Sequence, residues 1–576
     1  MGKIKIGRRK FLKISGISGA GLVIGLQTGQ AMMAARIMKM NGAGDVSEVT
    51  PFVIIDKTGA ITIMNPRPDM GQGTFQSIPA LIAEELEVPF DKINIKFTSG
   101  EDKYGEQDAG GSYSVRGSYF PLRKVGAAAR EMLVKAAAQK WSVSPDECYA
   151  EEAAVKHKTS GKSLPYADLA EAASRMEVPQ DPKLKDPKDF KILGKSVHRP
   201  DIPLKVTGKA VFGIDAEVPG MVYASIERSV VFGSKLVSYD DSGTMKVPGV
   251  TKTMKVSRKI GKNNYEGVAV VASNYWAALQ GRRALKVTWD HQGFDSFNSK
   301  EYTESLRDLK NNEGLVVHNQ GDFDKAYQGS PSKLEAFYET PMVSHSPMEP
   351  MNAVAEWKSD NTVEVWVSSQ GPNLVKNELT DTLGLPKDSI KVNNHFSGGG
   401  FGRRLLSDFA GEAALISKEI GKPVKVVWTR EDDTRLGPFR PMTFSAMKAG
   451  LAKDGKPQAF QHKVISPSIE ATLEENFNVT QENGSMVEGI SEQKYEIPNM
   501  KNAYVFSDFH IPLYYWRAVT STTLAFAHES FIDEMAVAAK KDPMEYRLGM
   551  LTKDSDTKKV LLKLKEISGW DRPMPV

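Results

Sequence analysis

Three glycines in succession, Gly398, Gly399 and Gly400, followed by Phe401, Gly402, Arg403 and Arg404, constrain this chain more than any other feature. Glycine loses more backbone freedom on folding than other residues. A run of them destabilises unless the backbone must pass close to something or turn through positive φ. The run reads as the loop of a strand–loop–helix unit. It lacks the spacing of a dinucleotide-binding fingerprint and the Lys-Ser/Thr of a P-loop. The glycines, the phenylalanine and the arginine pair point to a different phosphate- or pterin-bearing ligand.

Two earlier segments repeat the pattern more weakly. Met70-Gly71-Gln72-Gly73-Thr74 stands between a strand and a helix, where glycines let backbone N–H groups meet an anion, although such a turn is often only a turn. Gly110 to Ser118 precedes another helix; its hydroxyls, N–H groups and Arg116 suit phosphate or pterin oxygens, and Ser118 alternatively serves as an N-cap. Ser368-Ser369-Gln370 ends a strand over 363–367, which places an amide side chain at a strand end. Tyr514-Tyr515-Trp516-Arg517 sets an arginine among aromatics before a helix bearing Glu529 and Asp533. His345 and Glu349 are separated by Pro347 and lack a third ligand, and the nine histidines are scattered, so no metal site is expected.

Periodicity predicts strands over 52–63 with a turn at Lys57-Thr58-Gly59, a helix over 76–86, a strand over 93–97 and a long helix over 122–141. A proline- and charge-rich linker is expected at 178–190, short strands at 192–290 with a helix over 275–285, and a polar separator at 295–313. Strands and helices then alternate from Leu334. The fold class is α+β in several domains, as a length of 576 residues also suggests. One cysteine, Cys148, excludes an intrachain disulfide and an iron–sulfur cluster held by this chain alone. The basic balance comes from the first thirteen residues, which argues against nucleic acid as a partner. Arg8-Arg9-Lys10-Phe11-Leu12-Lys13 and the short apolar stretch after it predict twin-arginine export to the periplasm, with membrane contact only where the leader stays uncut.

Taken in order, these motifs resemble the molybdopterin-binding large subunits of the xanthine dehydrogenase and aldehyde oxidase family, especially the isoquinoline 1-oxidoreductase beta type. Asp201 to Ala210 and Pro219-Gly220-Met221 are similar to the family's α/β-hammerhead domain. The resemblance implies a leader (1–45), a permuted molybdopterin-binding segment (46–177), the linker, a hammerhead domain (191–292), a first molybdopterin-binding domain (330–465) and part of a second (466–576). It implies that Gln370 hydrogen-bonds an oxo ligand on molybdenum and that Phe401 and Gly402 line the metal-facing side of a loop with Gly399, Gly400 and Arg403. The Arg517 peptide and the amides of Gly71, Gln72, Gly73, Gly111, Ser112 and Ser114 would hold the pterin and phosphates. The cofactor implied is the molybdopterin cytosine dinucleotide, whose dithiolene binds the metal, so no protein metal ligand is expected. The activity implied is hydroxylation of an N-heterocycle or oxidation of an aldehyde with oxygen from water. Electrons would leave through a small [2Fe-2S] subunit toward an acceptor such as a cytochrome.

The family's general-base glutamate lies in a Gly-x-Gly-Glu segment beyond the equivalent of Trp570, and nothing similar precedes Val576. No catalytic residue is therefore assigned, and this sequence by itself is not expected to be active. A longer polypeptide, a second polypeptide that completes the site, and a non-catalytic exported binding or scaffold protein all remain open.

Overall fold

A computed structural model of the chain describes residues 46–480, 484–490 and 493–572; the arginine pair and the rest of the leader lie outside the described residues. The first unit holds β1 (Val46–Thr50), β2 (Val53–Asp56), β3 (Ile61–Asn65) and β4 (Ile93–Phe97), one sheet in that order with β3 and β4 parallel. Its helices are α1 (Thr74–Leu86), α2 (Ser114–Trp141) and α3 (Ala167–Ser174), and a small sheet of β5 (Cys148–Glu151), β6 (Ala154–His157) and β7 (Ser163–Pro165) adjoins them. α1 and α2 touch along small residues: a Cβ on Gly126 would lie 2.4 Å from the Ile82 carbonyl oxygen. α2 begins eight residues before the predicted start. Ser118 is therefore not a cap but lies inside the helix, where its buried hydroxyl accepts from Arg67 Nε at 3.3 Å.

The predicted linker is a packed strap. Glu84 and Glu85 on α1 are 1% and 0% exposed. Glu84 accepts from the backbone N–H groups of Lys191, Ile192 and Leu193, and Glu85 from that of Lys185. Arg123 on α2 donates to the Lys185 carbonyl at 2.8 Å. Two buried carboxylates thus satisfy a segment whose composition alone reads as solvated.

The chain continues through α4 (Asp201–Val206), β8 (Val222–Arg228), β9 (Lys235–Asp240), β10 (Val250–Ile260), β11 (Asn263–Ala272), α5 (Tyr275–Ala284), β12 (Lys286–Asp290) and α6 (Ser299–Asp308). Next come β13 (Leu315–Gln320), α7 (Phe323–Gly329), β14 (Ser332–Thr340), β15 (Val343–Ser344), β16 (Asn352–Trp357), β17 (Val363–Val367), α8 (Pro372–Leu383), β18 (Ile390–Asn394), α9 (Asp408–Ile420) and β19 (Val424–Val427). The last stretch holds α10 (Arg430–Arg435), β20 (Phe439–Arg440), β21 (Thr443–Leu451), β22 (Pro457–Ser466), α11 (Ile469–Leu473), β23 (Asn499–Phe506), α12 (Ser521–Ala538), α13 (Pro543–Gly549) and α14 (Asp556–Ser568).

A seven-stranded sheet runs β10-β11-β8-β19-β16-β17-β18 and a five-stranded sheet β13-β23-β22-β21-β14. Both cross the expected domain limits. The first takes strands from the expected hammerhead stretch and from the stretch after it. The limit at 465 falls inside β22, which pairs in parallel with β23. The expected separator carries α6, whose Leu306 is fully buried and whose Tyr302 stacks on Phe509 with ring centroids 4.7 Å apart. Valine and alanine on β16, β17 and β19, all buried, pack against Phe409, Ala413 and Ile416 of α9. That core fixes the strand ends from which the functional loops rise.

Candidate functional site

The glycine-rich loop leaves β18 and ends at α9, and its shape is dictated by what it passes. A Cβ on Gly402, where φ is +104°, would lie 1.9 Å from the Tyr515 carbonyl oxygen; one on Gly400 would lie 2.4 Å from Gln370 Oε1 and 3.0 Å from Met70 Sδ. Only glycine permits those approaches. Phe401, at φ +55°, leaves its ring partly exposed, and its carbonyl accepts from the Arg517 N–H at 2.8 Å.

Two neighbouring arginines hold this loop in different ways. Arg404 is fully buried and donates to the carbonyls of Gly399 (2.8 Å), Ser368 (3.1 Å) and Glu349 (2.7 Å), with Glu349 Oε2 at 3.1 Å. Burial lowers its guanidinium below the usual range, against the pull of Glu349. The Glu349 carboxylate also accepts from the N–H groups of Gly398 (2.7 Å) and Ile214 (2.9 Å) and from Asn352 Nδ2 (2.9 Å). A buried ion pair withstands desolvation only when its remaining donors and acceptors are satisfied, as here. Arg403, expected at the cofactor, instead turns inward: both terminal nitrogens bond Asp408 at 2.8 and 2.9 Å, and the residue is 1% exposed. Arg228, Arg258 and Arg403 all lie over the Trp428 ring, at 4.5, 4.8 and 5.2 Å. Although burial opposes it, the Arg403 and Arg258 charges hold the Asp408 carboxyl below its usual range. The side chain of Arg403 therefore belongs to the support under the loop.

Gln370 joins three segments. Its Nε2 donates to the Ala109 carbonyl at 2.9 Å, its carbonyl accepts from the Ala109 N–H at 2.7 Å, and its Oε1 accepts from the Gly402 N–H at 2.8 Å. One Nε2 hydrogen suffices for the bond to Ala109, so the amide keeps a second donor. The segment bearing Ala109 then turns through Gly111 (φ +56°) and Ser112 (φ +54°) into α2, which has no side-chain cap and no acid in its first turn. Gly111 and Ser112 are exposed, and among the described residues their N–H groups and that of Ser114 donate to no other protein group. Free amides at the N-terminus of a 28-residue helix attract an anion. Beside them, burial and the neighbouring Glu106 push the Asp108 carboxyl up to about 6, with Arg67 pulling the other way.

The first glycine turn differs. Asp69, fully buried, accepts from the N–H groups of Gly71 (2.9 Å), Gly73 (3.1 Å) and Phe75 (3.0 Å). Lys205 on α4 lies 3.1 Å from the same carboxylate. Gln72 folds back onto the Pro68 carbonyl and the Met70 N–H. The amides of Gly71 and Gly73, expected to hold cofactor oxygens, thus have a protein carboxylate as partner, and the turn is an internal helix cap. The sequence reading also missed Glu349 and Asp69. The one signal was Glu349 itself, in a segment considered only as a metal site. Its neighbour His345 places Nδ1 3.1 Å from the Pro438 carbonyl and Nε2 2.8 Å from that of Tyr515, and burial lowers its pKa to about 4.

Among the described residues no three of His, Cys, Asp and Glu are grouped as a metal site would need. An anionic organic cofactor that brings its own metal ligands does fit. The amides of Gly111, Ser112 and Ser114 at the start of α2 are free to meet its anionic groups, and Gln370 has an amide hydrogen to spare.

Comparison with known proteins agrees. Residues 307–550 match one molybdopterin cofactor-binding domain family and residues 12–201 match a second family of the same description. The chain is 29% identical to the isoquinoline 1-oxidoreductase subunit beta of Brevundimonas diminuta, over 92% of this chain and 74% of that one. It is 28% identical to the membrane-bound aldehyde dehydrogenase of Gluconacetobacter polyoxogenes, over 95% of this chain and 72% of that one. The quinoline 2-oxidoreductase structure from Pseudomonas putida 86 shares the fold, with a TM-score of 0.53 and 18% identity over 66% of this chain. The chain spans about half of that solved chain, 54% of its length.

Proposed function

The chain belongs to the molybdopterin-binding large subunits of the xanthine dehydrogenase family, and from that premise we propose that it is the cofactor subunit of an exported hydroxylase. The substrate class is an N-heterocycle or an aldehyde, water supplies the oxygen, and a [2Fe-2S] partner subunit carries the electrons away. The observation that carries this reading is the meeting of three loops at Gln370 beside an uncapped helix N-terminus whose amides are free.

In this reading the cofactor is the cytosine dinucleotide form, and when bound it supplies the two-electron chemistry and the activation of water. The chain's own residues bind and orient. The amides of Gly111, Ser112 and Ser114 take phosphate oxygens with the help of the α2 dipole. Gln370 keeps an amide donor for the group's metal end, while Gly399, Gly400 and Gly402 let the loop pack on Pro347, Gln370 and Tyr515 and so hold that donor in place. The Arg517 backbone closes the loop on Phe401. Arg404 and Glu349 stiffen the frame, so that little reorganisation is needed as charge develops. The arginine pair at positions 8 and 9 supports export after folding, in keeping with a cofactor inserted in the cytoplasm.

The test is to purify the native complex, measure molybdenum by mass spectrometry and identify the nucleotide released by acid. Stoichiometric metal and cytosine nucleotide, with substrate-dependent dye reduction, are expected. A complex that is metal-free and nucleotide-free, from cells that load another molybdenum enzyme, overturns the reading in favour of an exported binding or scaffold protein. Recovery of the mature protein in the cytoplasm alone overturns the export assignment.

A further inference from the structure

Arg228, Arg258, Arg403 and Arg404 each lie against a buried carboxylate. Arg440 does not. It ends β20, its backbone paired with Val343 of β15, and the residue is only 8% exposed. Its side chain makes no hydrogen bond or ion pair among the described residues, and Nε is buried without a partner. Desolvation with no compensating acid lowers its guanidinium below the usual range. The cation lies 5.0 Å from the centroid of the Trp516 ring, whose Nε1–H is also buried without an acceptor.

Burying a charge without a counter-charge is costly, and so is burying a donor without an acceptor. Here the two costs fall side by side. Both groups are donors only: the guanidinium offers five N–H bonds in a planar fork and the indole one. A ligand that satisfies them is rich in acceptors and negatively charged, and a carboxylate matches the fork. The position is equally specific. Trp516 stands between Tyr515, whose carbonyl meets Gly402, and Arg517, whose N–H bonds Phe401. Trp516 is therefore carried by the segment that closes on the glycine loop, and the terminal nitrogens of Arg440, which are hydrogen-bonded to nothing among the described residues and not fully buried, stay accessible to a ligand.

We propose that Arg440 and the indole N–H of Trp516 form a carboxylate-binding subsite where β20 meets the segment 512–517, so that this chain selects a substrate bearing an anionic carboxylate. The inference rests on the oxidoreductase reading but is testable apart from it. Benzoate, benzamide and inorganic phosphate are titrated calorimetrically into the full chain and its Arg440→Gln, Arg440→Lys and Trp516→Phe variants. The expected result is benzoate binding that falls at least tenfold in Arg440→Gln and severalfold in Trp516→Phe, with Arg440→Lys between the wild type and Arg440→Gln. Benzamide affinity should be the same throughout. Any of three results overturns the subsite: no benzoate binding to the wild type at millimolar concentration, equal loss of benzamide binding, or phosphate binding that depends on Arg440 while benzoate binding does not, which would assign the donors to a cofactor phosphate. Where Arg440→Gln does not fold, as judged by thermal melting, Arg440→Lys and Trp516→Phe carry the test alone. Arg440-dependent benzoate binding in a complex that reduces no dye would keep the subsite and remove the oxidoreductase reading. Dye reduction that shows no preference for carboxylates, with no benzoate binding, would do the reverse.

Discussion

Two loops begin alike and do opposite things. Asp69-Met70-Gly71-Gln72-Gly73 leads into α1 and Asp108-Ala109-Gly110-Gly111-Ser112 into α2, and the two helices pack against each other. In the first, the aspartate folds over the turn and takes three N–H groups, with Lys205 beside it. In the second, the aspartate turns to Arg67 and Glu106, and the amides of Gly111, Ser112 and Ser114 stay free. A glycine turn before a helix is a place where an anion is stabilised. Whether that anion is the chain's own carboxylate or a ligand depends on where one side chain points.

The largest expected effect comes from emptying the filled loop. Asp69→Ala removes a fully buried carboxylate with three backbone partners, leaving those donors unsatisfied and Lys205 with Asp201 alone. A destabilisation of about 3 kcal/mol is expected from chemical denaturation. A loss below about 1 kcal/mol would mean that water replaces the cap and that the two loops differ less than their geometry indicates.

The aspartate of the open loop should make stability depend on pH. Burial and Glu106 raise the Asp108 carboxyl to about 6 in the fold, above its unfolded value of 3.8. The native state then binds more protons than the unfolded state between these values, so the contribution is full below pH 3.8 and is lost as pH rises through about 6. Asp108→Asn should gain up to about 2 kcal/mol relative to wild type between pH 4 and pH 7. Parallel stability curves for the two proteins would show that Arg67 offsets burial completely.

Gly73→Ala tests backbone geometry alone. Its φ is +96° and an added Cβ would meet nothing closer than Arg199 Nη1 at 3.6 Å, so strain dominates over collision. A destabilisation of about 1–2 kcal/mol in a thermal melt is expected. A neutral result would show that the turn relaxes and that Asp69 does not require positive φ at this position.

Much of the frame was legible in the residues. Alternation located β3, β4 and β17, and the glycine spacing located all three loops, because periodicity and backbone permissiveness are local properties. What was not legible depends on direction and partners. Arg403 and Arg404 are adjacent and chemically identical, yet one closes the loop on its carbonyls and the other neutralises Asp408 beneath it. The strap over 178–190 looks solvated because the partners of its Lys185, Glu84 and Glu85, lie about a hundred residues away. The seven-stranded sheet draws β8 beside β19 across just over two hundred residues, a pairing no local pattern encodes. Asp69 and Asp108 each stand two residues before the first glycine of their loop, and only their tertiary partners show which of them caps its own turn.

The smallest expected change in stability is also the sharpest test of the comparison. Ser112→Asp supplies the open loop with a carboxylate of its own. Ser112 is exposed and already occupies positive φ, and aspartate tolerates that conformation, so stability should change by no more than about 0.5 kcal/mol. The new carboxylate would lie among the free amides at the start of α2, where it either caps them or repels a phosphate. Molybdenum content in the purified protein should fall at least tenfold, while Ser112→Asn, of the same shape without the charge, should retain most of it. If Ser112→Asp loads as well as wild type, the amides of this loop do not hold the cofactor's anionic groups, and the difference between the two loops is one of capping alone. If Ser112→Asn loses as much metal as Ser112→Asp, shape rather than charge governs the site, and the anion-binding role of the α2 N-terminus falls with it.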